Sequence, residues 1–285
     1  MKISKNPLSL LSLFSVLALF SSCSKNTSQP TIPGTLFYFP TSLIIDTTGA
    51  GNVNENFIYN TDTSQLVTVS SATKSVTFTF NPTTGLINGE NLSQLINGST
   101  KSFSLAFFFN MAGQLSYIDS INGGNFFKVQ SFGYNTAGYN SIDSVFGLNS
   151  KKLNNIINRI YDGNGNPILS TNSNKNGPIK KYGVLIDSTV TTRTFGTHSG
   201  AYKNLSMITN LAAGLGISAN ENTGAIVNGY YKGSLVYTDT YVIQNLQYNS
   251  AGYIIGASTS ITNSLSSINN KTFTTAITYL AVRKH

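Results

Sequence analysis

The chain is poor in reactive side chains, and this scarcity narrows the chemistry open to it. It has one cysteine, Cys23, two histidines, His198 and His285, and ten acids, seven of them aspartates. A single cysteine excludes an intramolecular disulfide. Structural zinc needs four Cys, His or carboxylate ligands, which this chain cannot assemble in an ordinary set, so no metal and no cofactor is expected. There is no Gly-x-Ser-x-Gly elbow and no phosphate-binding loop. His198 and Ser199 are adjacent, and a loop after Gly196 accounts for them without a catalytic dyad. Two carboxylates brought together by the fold could act as acid and base, but no spacing selects a pair. The expectation is a non-enzyme.

One acidic pattern does stand out. Six of the seven aspartates are followed by Ser or Thr. Four of these, Asp46-Thr47-Thr48, Asp119-Ser120-Ile121, Asp143-Ser144-Val145 and Asp187-Ser188-Thr189, resemble the O-glycosylation acceptor of Bacteroidota envelope proteins. That resemblance makes Thr47, Ser120, Ser144 and Ser188 candidate glycan carriers. The alternative is that Asp-Ser and Asp-Thr are good strand ends and turns. Asp162-Gly163-Asn164-Gly165-Asn166 is similar to a fragment of a calcium loop without its later Glu, and a hairpin tip explains it as well. The 15 tyrosines offer a further surface chemistry, stacking on sugar rings or on protein partners. Tyr139, Tyr230, Tyr231 and Tyr253 lie near turns or polar strands and are the candidates, with cross-strand packing as the alternative for each.

The elements that must position these residues are hairpins. Phe109-Asn110-Met111-Ala112-Gly113, Tyr134-Asn135-Thr136-Ala137-Gly138 and Tyr248-Asn249-Ser250-Ala251-Gly252 are near copies, with looser versions at Tyr161 to Gly165 and Phe80 to Gly85. Asn or Asp opens a type I turn by accepting backbone hydrogen bonds, and Gly supplies the positive φ that bulges into the returning strand. Tips fall at Asn81, Asn110, Asn135 and Asp162, a step near that of stacked two-stranded units. These aromatic-Asn-x-x-Gly tips resemble the YD-type repeats of Rhs-like proteins and related hairpin-repeat lipoproteins of Bacteroidota, over roughly 55–175 and 242–262. The resemblance implies a long antiparallel sheet curled to hide its edges, and carries over no catalytic residue.

Strand signals also fall at Thr35 to Phe39, Phe57 to Tyr59, Leu66 to Val69, Val76 to Phe80, Tyr230 to Tyr241 and Thr272 to Val282. Phe103 to Phe109 is more continuously apolar than the other strand signals and predicts a central strand buried on both faces. Leu205, Ile208, Leu211, Ala212 and Leu215 predict a short helix over Lys203 to Gly216, and Asn91 to Asn97 a second helical turn. The expected fold is mainly β: an antiparallel sheet of repeated hairpins, curled or sandwich-like, with one or two short helices, forming a single domain over 35–285.

Before that domain lies a leader. Lys2 and Lys5 precede an apolar run from Leu8 to Phe20, too short to span a bilayer. Leu19-Phe20-Ser21-Ser22-Cys23 resembles a bacterial lipoprotein signal. The resemblance implies cleavage of 1–22, lipidation of Cys23 and an outer-membrane address. Residues 23–34, with Pro30 and Pro33, predict a flexible tether.

Charged residues are 10% of the chain against a usual value of about 25%. The net charge of +8 is thinly spread, with Lys151-Lys152 and Lys180-Lys181 as the only lysine doublets, so no nucleic-acid partner is expected. With aromatics at 11%, the composition points to a folded chain coated in Ser, Thr and Asn rather than a disordered one. The functional expectation is a lipid-anchored envelope protein, a non-catalytic binding or scaffold module whose partner is a glycan or an envelope protein. The alternative is a glycan-processing enzyme of the envelope.

Overall fold

The computed structural model describes residues 36–283 apart from 48–52, 61–64, 97, 123–124, 148–151, 206–217 and 267–269. The leader, Cys23 and the tether lie outside the described residues. Phe37–Val282 forms one compact unit.

The strands are β1 (Leu36–Thr47), β2 (Val53–Tyr59), β3 (Leu66–Ser70), β4 (Lys74–Phe80), β5 (Ile87–Ile96), β6 (Ser99–Phe109), β7 (Leu115–Asn122), β8 (Asn125–Tyr134), β9 (Asn140–Phe146) and β10 (Leu153–Tyr161). They continue with β11 (Pro167–Asn174), β12 (Ile179–Lys181), β13 (Val184–Ile186), β14 (Ser188–Ser199), β15 (Asn220–Tyr231), β16 (Ser234–Tyr248), β17 (Ile254–Asn263) and β18 (Lys271–Arg283). Sixteen of them close an antiparallel up-and-down barrel in which β1 meets β18, while β12 and β13 form a separate two-stranded sheet. Closure leaves the barrel itself no edge strand to pair with another chain.

The tips follow from local turn chemistry. At Asn135, Oδ1 accepts the backbone N–H groups of Ala137 and Tyr139, and the Gly138 N–H donates to the Asn135 carbonyl. The same bonds recur at Asn110, Asp162 and Asn249. Register slips immediately before each tip, so that Phe109 faces Leu115, Tyr134 faces Asn140, Tyr161 faces Pro167 and Tyr248 faces Ile254. The hairpins are then stitched side by side. Tyr134 Oη donates to the Leu115 carbonyl at 2.8 Å and Tyr161 Oη to the Asn140 carbonyl at 2.6 Å, each reaching the first paired residue after the preceding tip.

Two tip glycines separate backbone from packing. Gly113 has φ 73° and open space where a Cβ would stand. Gly165 has φ 87°, and a Cβ there would meet the Tyr139 ring at 2.9 Å. Gly113→Ala is expected to cost about 1 kcal/mol, the strain of positive φ alone. Gly165→Ala should cost about 1 kcal/mol more, because the stacked Tyr139 must move. Urea denaturation of the two variants checks this, and equal losses would mean the ring contact contributes nothing.

Inside and outside differ in composition. Phe39, Phe57, Leu66, Val69, Val76, Phe78, Leu105, Phe107, Leu115, Ile118 and Phe132 form one buried cluster along β1–β8. The outer face there carries rows such as Ser75, Ser93 and Ser102, paired across β4–β6. That period-2 alternation, apolar inward and hydroxyl outward, is why so few charges suffice on the surface.

Several expectations are corrected. The sheet is a closed barrel, not a sandwich, and no described residue is helical. Asn91 to Ile96 belongs to β5, paired from Asn91 opposite Ser104 to Ile96 opposite Ser99, because ladder pairing overrides a weak helical signal. The helix expected over Lys203 to Gly216 begins as turns at Ala201–Asn204, and 206–216 lie outside the described residues. Phe103 to Phe109 is not buried on both faces: Leu105 and Phe107 are buried while, on the other face, Ser104 is exposed and Ala106 and Phe108 are half-buried, since a barrel strand has only one inner face. Tyr230 to Tyr241 is not one strand but the β15–β16 hairpin, turning at Lys232 and Gly233, both at positive φ.

Candidate functional site

Up-and-down connectivity sorts the connections between two ends of the barrel. The aromatic-Asn tips all join an even strand to the next odd one, so they share one end with the start of β1. The opposite end holds the β15–β16 turn and the β12–β13 sheet. At the tip end, Asn204 Nδ2 donates to the Tyr38 carbonyl at 2.8 Å and to Tyr253 Oη at 3.0 Å. The Tyr202 ring packs on Phe57, with centroids 6.0 Å apart. The segment Gly200–Leu205 thereby reaches from β14 to β1 and β2.

Three polar constellations line the inner face away from the apolar cluster. In the first, Arg159 donates to Asp143 Oδ2 at 2.7 Å and also to Asn140, and Asp143 is 1% exposed. Arg193 lies on the same face and donates to Ser170 Oγ at 3.0 Å. Burial, then the like charge of Arg159, lowers the pKa of Arg193. Burial also pushes Tyr161 up to about 12.

The second surrounds Asp239, which is fully buried. It accepts from Lys181 Nζ at 3.2 Å, Tyr182 Oη at 3.0 Å and Asn263 Nδ2 at 2.6 Å. Burial opposes the charge of Lys181, yet its hydrogen bonds to Tyr237 and Asp239 hold its pKa above the ordinary lysine range. These bonds fasten the β12–β13 sheet to β16.

The third stands at the tip end. His198 Nδ1 lies 3.3 Å from Glu221 Oε1, and Tyr248 Oη donates to the same oxygen at 3.2 Å. The His198 and Tyr248 rings stack with centroids 3.9 Å apart. Glu221 occupies space above Gly196, where a Cβ would come within 2.1 Å of its Oε1. Its Oε2 is buried without a hydrogen-bond partner. A carboxylate behind Nδ1 fixes the imidazole and leaves Nε2 as the edge able to bind or exchange a proton.

A fourth carboxyl stands apart. Glu90 is 4% exposed, with Phe78 and Leu105 directly opposite on the neighbouring strands. Its Oε2 has no partner. Burial pushes its pKa up to about 8, only partly offset by the charge of Lys74.

The residues singled out by sequence are not gathered into one site. Tyr139, at a tip, stacks on Tyr161 at 5.0 Å, and Tyr253 packs against Tyr38 at 5.0 Å and Tyr279 at 5.7 Å. Tyr230 and Tyr231 are at the opposite end, with Lys232 Nζ 5.3 Å from the Tyr231 ring centre. All four rings are half-buried. Among the candidate glycan acceptors, Ser120 faces inward and is 1% exposed. Ser144 and Ser188 are partly exposed, Ser188 donating to Asp187 at 2.9 Å, and Thr47 ends β1. The Asp162 carboxylate is taken up by Asn164 N, Asn166 N and Asn166 Nδ2, as a hairpin tip requires.

Sequence reading missed Glu221, Arg159, Arg193 and Glu90. A signal existed for one of them: Arg159 and Asp143 lie sixteen residues apart, on the adjacent strands β9 and β10. His198 and Glu221 meet because β14 pairs with β15, with Phe195 opposite Asn222 and Ser199 opposite Asn220, a register that no local pattern announces.

No family model matches the chain, and no curated protein does. Among solved structures it is similar to a chain of the Tc holotoxin pore of Photorhabdus luminescens, at 11% identity and a TM-score of 0.19. The match covers 79% of this chain and 18% of that one. A likeness at this level says nothing about activity.

Proposed function

We propose that this chain is a lipid-anchored protein of the bacterial outer membrane, acting as a non-catalytic binding or scaffold module. The carrying observation is Cys23, the chain's single cysteine, placed directly after an apolar run and two small residues. Thirteen residues further on, β1 begins at the end of the barrel that carries the repeated tips.

The inner wall supports the non-catalytic reading. A glycan-processing enzyme needs two carboxyls free to meet substrate. Here Asp143 and Asp239 are engaged by Arg159 and Lys181, and Glu221 by His198 and Tyr248, while Glu90 stands apart from them, buried opposite Phe78 and Leu105. A glycan or an envelope protein is the partner this reading implies, with the hydroxyl-rich outer face as contact surface. That face carries a groove of about 420 Å³ between β4 and β7, lined by Ser75, Thr77, Asn91, Ser93, Ser102 and Ser104. Of the candidate acceptors whose side chains are described, Ser144 and Ser188 are the ones open to O-glycans.

The test is metabolic labelling with a palmitate analogue in the native host, with intact mass of the purified chain. The wild type is expected to incorporate label and sediment with the outer membrane, and Cys23→Ala to lose both. An unlabelled wild type recovered in the soluble fraction overturns the anchor. A mass equal to the lipidated polypeptide alone removes the glycans.

A further inference from the structure

We propose that the polar half of the barrel interior binds an oxyanion, a carboxylate or phosphate group, through the guanidinium of Arg193. This deepens the binding-module reading by naming a ligand chemistry.

The register brings two guanidiniums to one place. Arg159 on β10 stands directly opposite Ser170 on β11, and Ser170 stands opposite Thr191 on β14. Arg193 is two residues beyond Thr191, on the same face of β14, and hydrogen-bonds Ser170 Oγ. Arg159 has its counter-charge in Asp143. Among the described residues no carboxylate forms an ion pair with Arg193, and its charged neighbour is another arginine. An inward-facing cation without a counter-ion is costly. The ordinary arrangement on this wall is pairing, as Arg159 and Lys181 show.

The surroundings suit an anion rather than a second packed core. Thr191, Ser170 and Asn172 share this face with Arg193, and Asn155 Nδ2 donates to Asn172 Oδ1 at 3.1 Å. These side chains are half-buried, so the face is not sealed from solvent. One terminal nitrogen of Arg193 serves Ser170, leaving the rest of its planar fork to meet two oxygens of one group. Hydroxyl and amide groups beside the fork would complete the shell. Both a free phosphate and the carboxylate of an acidic sugar present this pair of oxygens, and the two probes below distinguish them.

The experiment is a thermal-unfolding titration of the full chain with inorganic phosphate and, separately, glucuronate, each up to about 10 mM at constant ionic strength, where ligand linkage outweighs general salt effects. One of the two is expected to raise the wild-type Tm saturably by about 2 °C or more. The rise should vanish in Arg193→Gln and shrink in Arg193→Lys, which keeps charge without the fork. Without ligand, Arg193→Gln should melt no lower than wild type, since it removes repulsion with Arg159, so loss of response is not loss of fold. An equal response in wild type and Arg193→Gln, or none to either probe, overturns the proposal. Neither outcome bears on Cys23, whose labelling experiment is read without Arg193.

Discussion

Replacing Glu90 with Gln is expected to leave the barrel about as stable as wild type at pH 5 and much more stable at pH 9. The cause is a carboxyl held between Phe78 and Leu105, with one oxygen lacking any partner. Its pKa is raised from the ordinary value of 4.5 to about 8 by burial, so the folded state favours the proton and the unfolded state releases it. A raised carboxyl pKa contributes full stability below the unfolded value. That contribution is lost progressively as pH rises from 4.5 through 8, after which both states are ionised and the loss is complete. At 1.36 kcal/mol per pH unit, the total is on the order of 5 kcal/mol. Asp119 shifts the same way, also chiefly by burial, so the informative quantity is the difference between wild type and variant. Urea denaturation between pH 5 and pH 9 should show the wild-type midpoint falling while Glu90→Gln holds nearly level. Parallel profiles would mean that Glu90 reaches solvent or a cation in the folded chain.

The second large effect is at Asp239. Asp239→Ala strips a fully buried carboxylate from Lys181, Tyr182 and Asn263 at once. Breaking one side of a buried pair is destabilising by about 3–5 kcal/mol, and the lower end applies here because Lys181 can swing into water. The loss should be local as well as global. Asp239 ties the β12–β13 sheet to β16, so its removal should expose Lys180 and Lys181 to trypsin under conditions where the barrel remains folded. Limited proteolysis read by mass spectrometry should show cleavage near these residues in the variant and not in wild type. Loss of stability without new cleavage there would mean the sheet is held by other contacts, such as the Asp187 N–H donating to the Tyr230 carbonyl.

These two sites were not legible in the sequence, whereas the turns were. The Asn135 tip is closed by bonds to atoms two to four residues away, so its residue types nearly specify it. Glu90, by contrast, is unusual only because Phe78 and Leu105 are its cross-strand neighbours, a fact of register. Asp239 lies 58 residues from Lys181, in a stretch read as one strand until the hairpin at Lys232 and Gly233 folded it in two. The helical turn expected at Asn91 to Asn97 failed for the same reason. Its leucines and asparagines are ambiguous alone, and pairing with β6 decides them.

The sequence by itself determined the mainly β character, the repeated hairpins and the polar surface, because turn chemistry and period-2 alternation act over a few residues. It also supplied the lipoprotein-like leader on which the functional proposal rests. Only the tertiary structure decided that the sheet closes. Contacts such as Thr41 with Thr278, 2.7 Å apart across 237 residues, join β1 to β18 and leave no local trace. Closure gives each strand one inner face. That alone turns scattered acids and bases into paired ions, leaves Glu90 with a buried oxygen that has no hydrogen-bond partner, and leaves Arg193 facing inward with no carboxylate ion pair among the described residues. Burial and like-charge repulsion depend on which strands become neighbours, and long-range pairing fixes that.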